Sequence, residues 1–139
     1  KKCFEELILN KIDLTGVILK PNMIVSGNEA KEKISGEEVA KLTLDCLKNS
    51  VPQEVPGVAF LSGGQSEIEA TENLNLISKF NNTNFIMTYS YGRALQQSAL
   101  THWSKNLQDI EGTQKIFNHR AEMCSLASQG KWSIELEKK

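Results

Sequence analysis

Three short apolar runs divide the chain, and each is followed by a polar turn and then by a stretch whose apolar residues have helical spacing. The runs are Val17 to Leu19, Val58 to Leu61 and Phe85 to Tyr89. Continuous apolar runs of this length are typical of strands buried in a parallel sheet. The alternation predicts an α/β fold of three strand-helix units, in either an open doubly wound sheet or part of a closed barrel.

Capping residues mark several helix ends. Ser35 with Glu38, and Ser66 with Glu69, form the Ser-X-X-Glu pattern in which each side chain bonds a free backbone N–H of the other residue. Gly130 suits the left-handed cap at the end of the last long helix. The other helices are predicted over three ranges, which are Lys2 to Asn10, Ala94 to Trp103 and Asp109 to Gln129.

Two details of packing can also be predicted from the pattern. The helix that begins at Ser35 is expected to turn one apolar face inward, made of Val39, Leu42, Cys46 and Leu47. The residues from Ile134 to Lys139 form a charged end without a packing pattern.

Composition restricts the class of protein. The 139 residues carry 16 basic and 17 acidic side chains, so the net charge gives no field that would attract nucleic acid or an anionic membrane. No apolar run approaches the roughly 18 to 20 residues of a membrane span, and the first residues lack the apolar core of a signal peptide. We expect a soluble, cytoplasmic protein.

Cysteine and histidine spacing gives no sign of a metal site or of a cofactor. The three cysteines, Cys3, Cys46 and Cys124, are odd in number and contain no Cys-X-X-Cys pair. We expect them to be reduced thiols in the core. His102 and His119 are isolated and lack the spacing of metal ligands.

Lys20 ends the first apolar run and is followed at once by Pro21. A lysine at a strand end usually points into solvent. A lysine removed from water, or placed beside another cation, has a lowered pKa and can attack a carbonyl group as the neutral amine. Lys20 is therefore a candidate nucleophile at the rim where active sites of α/β proteins are assembled.

The next two strands end in loops that combine glycine, a hydroxyl group and the start of a helix. One loop contains Ser62, Gly63 and Gly64, and the other contains Ser90, Gly92 and Arg93. Glycine lets a phosphate approach backbone N–H groups, the helix end adds a favourable dipole, and an arginine adds a charged fork. A single loop of this kind is usually only a connection, but the pair predicts a phosphate site.

Three longer motifs carry a resemblance to a known family. The stretches from Leu19 to Met23, from Phe60 to Ser66 and from Tyr89 to Gln96 resemble class I fructose-bisphosphate aldolases, in the family's order and near its separations. The resemblance runs from about Phe4 to Gly130. It implies a TIM (β/α)8 barrel, of which residues 1–139 would supply the sixth to eighth strands and the C-terminal helices, without an internal domain boundary.

The resemblance also implies an activity. Lys20 would form the Schiff base in a glycolytic lyase that cleaves fructose 1,6-bisphosphate reversibly to dihydroxyacetone phosphate and glyceraldehyde 3-phosphate. The phosphate-binding residues would be Ser62, Gly63, Gly64, Ser90, Gly92 and Arg93. The family is usually a homotetramer, so the resemblance implies that assembly, and we expect neither a cofactor nor a metal.

Three strands cannot close a barrel, so the chain is expected to be part of a longer polypeptide. The resemblance places the family's acidic proton-transfer residues outside these 139 residues. We therefore expect the isolated chain to be inactive. A second hypothesis stays open, in which the barrel persists as a phosphate-binding or scaffold protein without catalysis.

Overall fold

A computed structural model describes residues 1–138. Its strands are β1 (Ile18–Leu19), β2 (Gly57–Phe60) and β3 (Ile86–Tyr89). Its helices are α1 (Lys2–Leu9), α2 (Gly36–Ser50), α3 (Glu67–Phe80), α4 (Arg93–Lys105) and α5 (Ile110–Ser128). Two 3₁₀ turns, Leu14–Gly16 and Ile134–Lys138, complete the described secondary structure. All three predicted strands and all five predicted helices are confirmed, with bounds that shift by one or two residues.

The strands form one parallel sheet in the order β1-β2-β3. Ile18, Gly57 and Ile86 share one level of the register. Because side chains alternate across a strand, the next level places Val58 and Met87 on the opposite face, where they are buried against the helices.

The other face of the sheet is open. Ile18 is 58% exposed and Ile86 is 72% exposed, although both are branched apolar residues. The prediction that the first strand is buried is therefore wrong for Ile18. The strand lies at an edge of the sheet, and the helices cover only the face that Val58 and Phe60 share.

The helix ends follow the capping signals. Ser66 accepts a hydrogen bond from Glu69 N–H, and the Glu69 carboxylate accepts one from Ser66 N–H, so the predicted box is confirmed. Ser35 likewise accepts from Glu38 N–H. Gly130 has a φ of 68°, and the bond from Lys131 N–H to Leu126 C=O closes the last turn of α5.

The inner face of α2 differs from the predicted one. Leu42 is 39% exposed and Cys46 is exposed, and the buried residues of this helix are Val39, Ala40, Thr43, Leu44 and Leu47. Thr43 shifts the face, because its hydroxyl group accepts a hydrogen bond from Ile24 N–H in the loop that follows β1. Apolar spacing alone gave no reason to place a threonine inside.

The prediction that the cysteines lie in the core is correct for one residue of three. Cys124 is fully buried on α5, where its sulfur lies 3.6 Å from the Thr71 hydroxyl oxygen, and burial raises the pKa of the thiol. Cys3 and Cys46 are exposed. All three are free thiols.

Residues 134–138 pack, contrary to the prediction for the charged end, whose last residue, Lys139, lies outside the described residues. The Glu137 carboxylate forms two hydrogen bonds with the buried Arg120 guanidinium, at 2.9 and 2.7 Å, and accepts a third from the Trp132 indole N–H. Arg120 also donates to the Thr71 hydroxyl group. One ion pair thus joins the last 3₁₀ turn to α5 and α3.

In residues 1–138 no helix is long and apolar enough to cross a membrane.

We predict that Glu137→Gln lowers the free energy of unfolding by about 3 kcal/mol at neutral pH, because it leaves Arg120 buried without its counter-charge. Burial favours the neutral acid, but the hydrogen bonds from Arg120 and Trp132 outweigh it and hold the pKa of Glu137 below its usual 4.5. The stabilisation is therefore fully present above the usual pKa of 4.5 and is lost as the pH falls through the lowered pKa of Glu137. Denaturant unfolding of both proteins from pH 7 downwards checks this.

The matched control is Glu122→Gln, which removes an exposed carboxylate from α5. It should change the unfolding free energy by less than about 0.5 kcal/mol. An equal loss in the two variants would contradict the assigned ion pair.

Candidate functional site

The three strands end at one edge of the sheet, and each predicted site segment begins there. Leu61 N–H donates to Pro21 C=O, and Ser90 N–H donates to Phe60 C=O, so the parallel ladder continues past the regular strands. These two bonds bring the segment after Lys20, the loop from Ser62 and the loop from Ser90 side by side. The prediction that the candidate groups share an edge is confirmed for the backbone.

Lys20 lies one residue beyond β1, on the open face of the sheet. Because side chains alternate along a strand, Lys20 lies on the same face of the sheet as Ile18. Continuing the pairing by one residue places it beside Ala59 of β2 and Thr88 of β3. The side chain is exposed, and its amine has no hydrogen-bond or ion-pair partner among the described residues. Lys20 is therefore displayed on the helix-free face, beside the two polar loops.

The loop after β2 depends on two glycines. Gly63 has a φ of 49° and Gly64 a φ of 84°, a left-handed conformation that residues with a Cβ rarely adopt. Gln65 N–H donates to Ser62 C=O and closes the turn. A Cβ on Gly63 would also overlap the side-chain amide of Asn22. Asn22 follows Lys20 and Pro21, so the lysine segment and the glycine loop are in direct contact.

A buried polar network supports the same loop from behind. The Gln65 side chain donates to Ser62 C=O at 3.0 Å and accepts from the Asn73 side chain of α3 at 2.8 Å. The Gln65 amide nitrogen also lies 3.7 Å from the Met23 sulfur. Gln65 and Asn73 are both almost fully buried. Their hydrogen bonds hold the Ser62 backbone against α3 and against the segment that follows Lys20.

The loop after β3 turns its tyrosine inward and its polar residues outward. The Tyr91 hydroxyl group donates to Ala70 C=O of α3 at 2.9 Å, and burial raises its pKa well above the ordinary value. Tyr91 therefore stays protonated and anchors the loop. Ser90, Gly92 and Arg93 are exposed.

The two helix N-termini at this edge differ in charge. The first turn of α3 contains Glu67 and Glu69, and Ser66 already caps it. The first turn of α4 starts with Arg93, contains no acidic residue, and has no side-chain cap among the residues described. Free N–H groups, a positive helix end and a guanidinium favour an anion. The start of α4 is thus better suited to phosphate than the start of α3, a difference that the sequence reading did not make.

A concave pocket of about 460 Å³ joins the two loops. Of the predicted phosphate-binding residues, Ser62, Gly64 and Arg93 line it. Gly63 lines a neighbouring pocket of about 280 Å³, and Ser90 and Gly92 line neither of the two. The structure therefore brings three of the six residues around one cavity, together with Glu67 and Gln97.

Several residues at this edge were missed by the sequence reading. Asn22, Gln65 and Asn73 hold the glycine loop, and Glu67 lies in the pocket wall. Asn22 and Gln65 stand inside the motifs that carry the family resemblance, which was the only available signal. No group of three or more metal-ligating side chains occurs within residues 1–138.

The parallel sheet, its one-sided helical layer and the polar loops at its carboxyl edge are those of β/α-barrel proteins. The family model described as fructose-bisphosphate aldolase class-I matches residues 1–139. The chain therefore belongs to the class I fructose-bisphosphate aldolase family, and its three β/α units are the C-terminal part of a (β/α)8 barrel.

Individual relatives agree with this assignment. Fructose-bisphosphate aldolase 3, chloroplastic, of Arabidopsis thaliana is 47% identical over 134 residues, which are 96% of this chain and 34% of the relative. Fructose-bisphosphate aldolase 4, cytosolic, of the same plant is 43% identical over 129 residues, 92% of this chain and 33% of the relative. This chain thus spans about a third of the length of either protein.

A solved structure is also similar to this chain. It is the fructose-bisphosphate aldolase of Plasmodium falciparum in complex with TRAP and a small molecule inhibitor. It matches with a TM-score of 0.89 and 42% sequence identity, covering 94% of this chain and 38% of that chain.

We predict that Gly63→Ala destabilises the protein more than Gly64→Ala. Both substitutions impose a left-handed conformation on alanine, at about 1 to 2 kcal/mol each, but only the first also meets the Asn22 side chain. Adding Asn22→Ala to Gly63→Ala should remove the steric part and leave the conformational part. Denaturant unfolding of the three variants measures both contributions.

Gly27→Ala is the matched control, because nothing lies within 4 Å of its added Cβ and its φ is not positive. It should leave the unfolding free energy nearly unchanged. If Asn22→Ala does not relieve Gly63→Ala, the contact between the lysine segment and the glycine loop is not tight.

Proposed function

We propose that the protein containing this chain is a class I fructose-bisphosphate aldolase with Lys20 as its Schiff-base residue. The observation that carries the proposal is the position of Lys20, which lies on the open face of the sheet at the edge where both polar loops begin. Membership of the family, together with the motif around Lys20, supports the choice of this lysine over the other exposed lysines of the chain.

In the proposed reaction the Lys20 amine attacks the ketone carbon of fructose 1,6-bisphosphate, and loss of water gives a protonated imine. This imine withdraws electrons as the bond between the third and fourth carbons breaks, so that the electron pair remains on the bound three carbons as an enamine. The hydroxyl group on the fourth carbon loses its proton and becomes the aldehyde of glyceraldehyde 3-phosphate, which is released. Protonation and hydrolysis then release dihydroxyacetone phosphate and return the free amine. The attacking amine must be neutral, and closure of the barrel over the open face would remove Lys20 from water, which favours the neutral form.

One substrate phosphate is proposed to bind between the two loops. Arg93 supplies the charge, and the free N–H groups at the start of α4 supply donors. Ser62 and Gly64 form the opposite wall of the pocket. Gly63, Ser90 and Gly92 complete the proposed set, reached from the same edge of the sheet.

The compartment and the assembly of the protein are proposed from the family resemblance. Because both a cytosolic and a chloroplastic aldolase are similar to this chain, the names alone do not choose the compartment. We propose the cytoplasm, in the glycolytic role, and a homotetramer as the assembly. The substrate is a small sugar phosphate, and no cofactor or metal is invoked.

We predict that borohydride reduction in the presence of dihydroxyacetone phosphate attaches one substrate to Lys20 of the full-length protein. Mass spectrometry of peptides identifies the modified residue. Lys20→Arg should abolish the adduct and lower kcat for fructose 1,6-bisphosphate by about a thousandfold or more, since arginine cannot form the imine. Lys41→Arg, at an exposed lysine of α2, is the control and should retain both adduct and turnover.

The same experiment separates the two functional hypotheses. An adduct on Lys20 together with turnover supports the lyase. Phosphate binding without an adduct on Lys20 would contradict the lyase and favour a non-catalytic phosphate-binding or scaffold protein.

A further inference from the structure

Glu67 connects the two helices that begin at the proposed phosphate site. Its carboxylate oxygen Oε1 accepts a hydrogen bond from Ser98 N–H at 2.8 Å, and Oε2 accepts one from the Ser98 hydroxyl group. Glu67 is the first residue of α3, and Ser98 lies in the second turn of α4. Within residues 1–138 these are the only hydrogen bonds that join α3 to α4 directly.

The position of this contact matters because each helix continues directly from one loop. Gly64 lies three residues before the start of α3, and Gly92 lies immediately before the start of α4. Any change in the separation of the two helix starts therefore changes the separation of the two loops. The pocket between the loops is lined by Ser62 and Gly64 on one side and by Arg93 on the other.

Glu67 itself also lines this pocket. A carboxylate in the wall of a phosphate site repels the ligand, so on charge alone its removal should strengthen binding. A residue that only repelled phosphate would need no fixed geometry. Instead, both carboxylate oxygens of Glu67 accept hydrogen bonds from one residue of α4, Ser98. This two-point contact connects the two helices in a fixed geometry.

We propose that Glu67 is a positioning residue whose contact with Ser98 sets the distance between the glycine loop and Arg93. It acts on phosphate through the geometry of the loops and does not touch the reacting atoms. The role of the pocket as a phosphate site rests on the proposed function. The connection between the helices is observed directly.

The test is a double-mutant cycle of Glu67→Ala and Ser98→Ala in the full-length protein. The dissociation constant for inorganic phosphate is measured by calorimetric titration, and KM and kcat are measured for fructose 1,6-bisphosphate. We expect each single variant to weaken phosphate binding and raise KM by about three- to tenfold, the range of one typical intramolecular hydrogen bond. We expect kcat to stay within about twofold, because Lys20 is on another element.

The cycle also distinguishes positioning from charge. If the contact acts as a unit, the double variant should bind phosphate no more weakly than Glu67→Ala. Ser98→Thr keeps the hydroxyl group and should retain the affinity of the unmodified protein. Glu72→Ala removes an exposed carboxylate from the same helix and controls for the change in charge.

Three results would overturn the proposal. Tighter phosphate binding by Glu67→Ala would show that the carboxylate acts as a repelling charge. Unchanged affinity in both Glu67→Ala, which removes both hydrogen bonds, and Ser98→Ala, which removes the one from the hydroxyl group, would show that the contact does not control the loops. Ser98→Ala alters only an exposed side chain, so loss of the fold cannot explain its result. Failure of the unmodified protein to bind phosphate would remove the site.

These outcomes are independent of the Schiff-base test. Affinity for inorganic phosphate needs no reaction at Lys20. The positioning role can therefore stand if the lysine is not trapped, and it can fail while the lysine is trapped.

Discussion

Parallel pairing of three adjacent strands is the constraint on which the other features depend. In a parallel sheet every strand points the same way, so all carboxyl ends meet at one edge, and every connection must cross back over a face. Here the crossovers α2 and α3 bury Val58, Phe60 and Met87 on one face and leave Ile18 and Ile86 exposed on the other. The edge collects the polar loops, and the open face displays Lys20.

Short sequence patterns predicted the features that depend only on residues close together in the chain. The box between Ser66 and Glu69 involves residues three apart, and the cap at Gly130 depends on one backbone conformation, so both could be predicted from short stretches of sequence. The strands could be predicted because a buried strand requires a continuous apolar run. The position of the site at the carboxyl edge followed from the chain direction alone.

Contacts between distant residues could not be predicted in the same way. Glu137 pairs with Arg120, 17 residues away, and a charged tail gave no indication that one of its carboxylates would pack against a buried arginine. Thr43 has a polar side chain, but its hydroxyl group is buried because it accepts a hydrogen bond from Ile24 N–H. The residues that hold the glycine loop were missed for the same reason, since the bond between Gln65 and Asn73 depends on how α3 packs against the loop.

The site combines two kinds of support that differ in strength. The glycine loop is fixed by buried hydrogen bonds through Gln65 and by contact with Asn22, and buried polar contacts are costly to break. The loop that carries Arg93 is anchored by the Tyr91 hydroxyl group and connected to α3 through the more exposed Glu67 and Ser98.

This difference suggests a division of roles around one substrate. The segment after Lys20 and the glycine loop are joined by a backbone hydrogen bond at Pro21 and by the contact with Asn22, so the backbone next to Lys20 keeps a fixed separation from one wall of the pocket. The guanidinium wall is connected to α3 through the exposed contact between Glu67 and Ser98, which makes it the part of the site that we expect to adjust most easily to a ligand. The proposed lyase would bind a six-carbon bisphosphate and release two three-carbon phosphates, and a fixed backbone next to the nucleophile together with a phosphate contact that can open would serve these two steps separately.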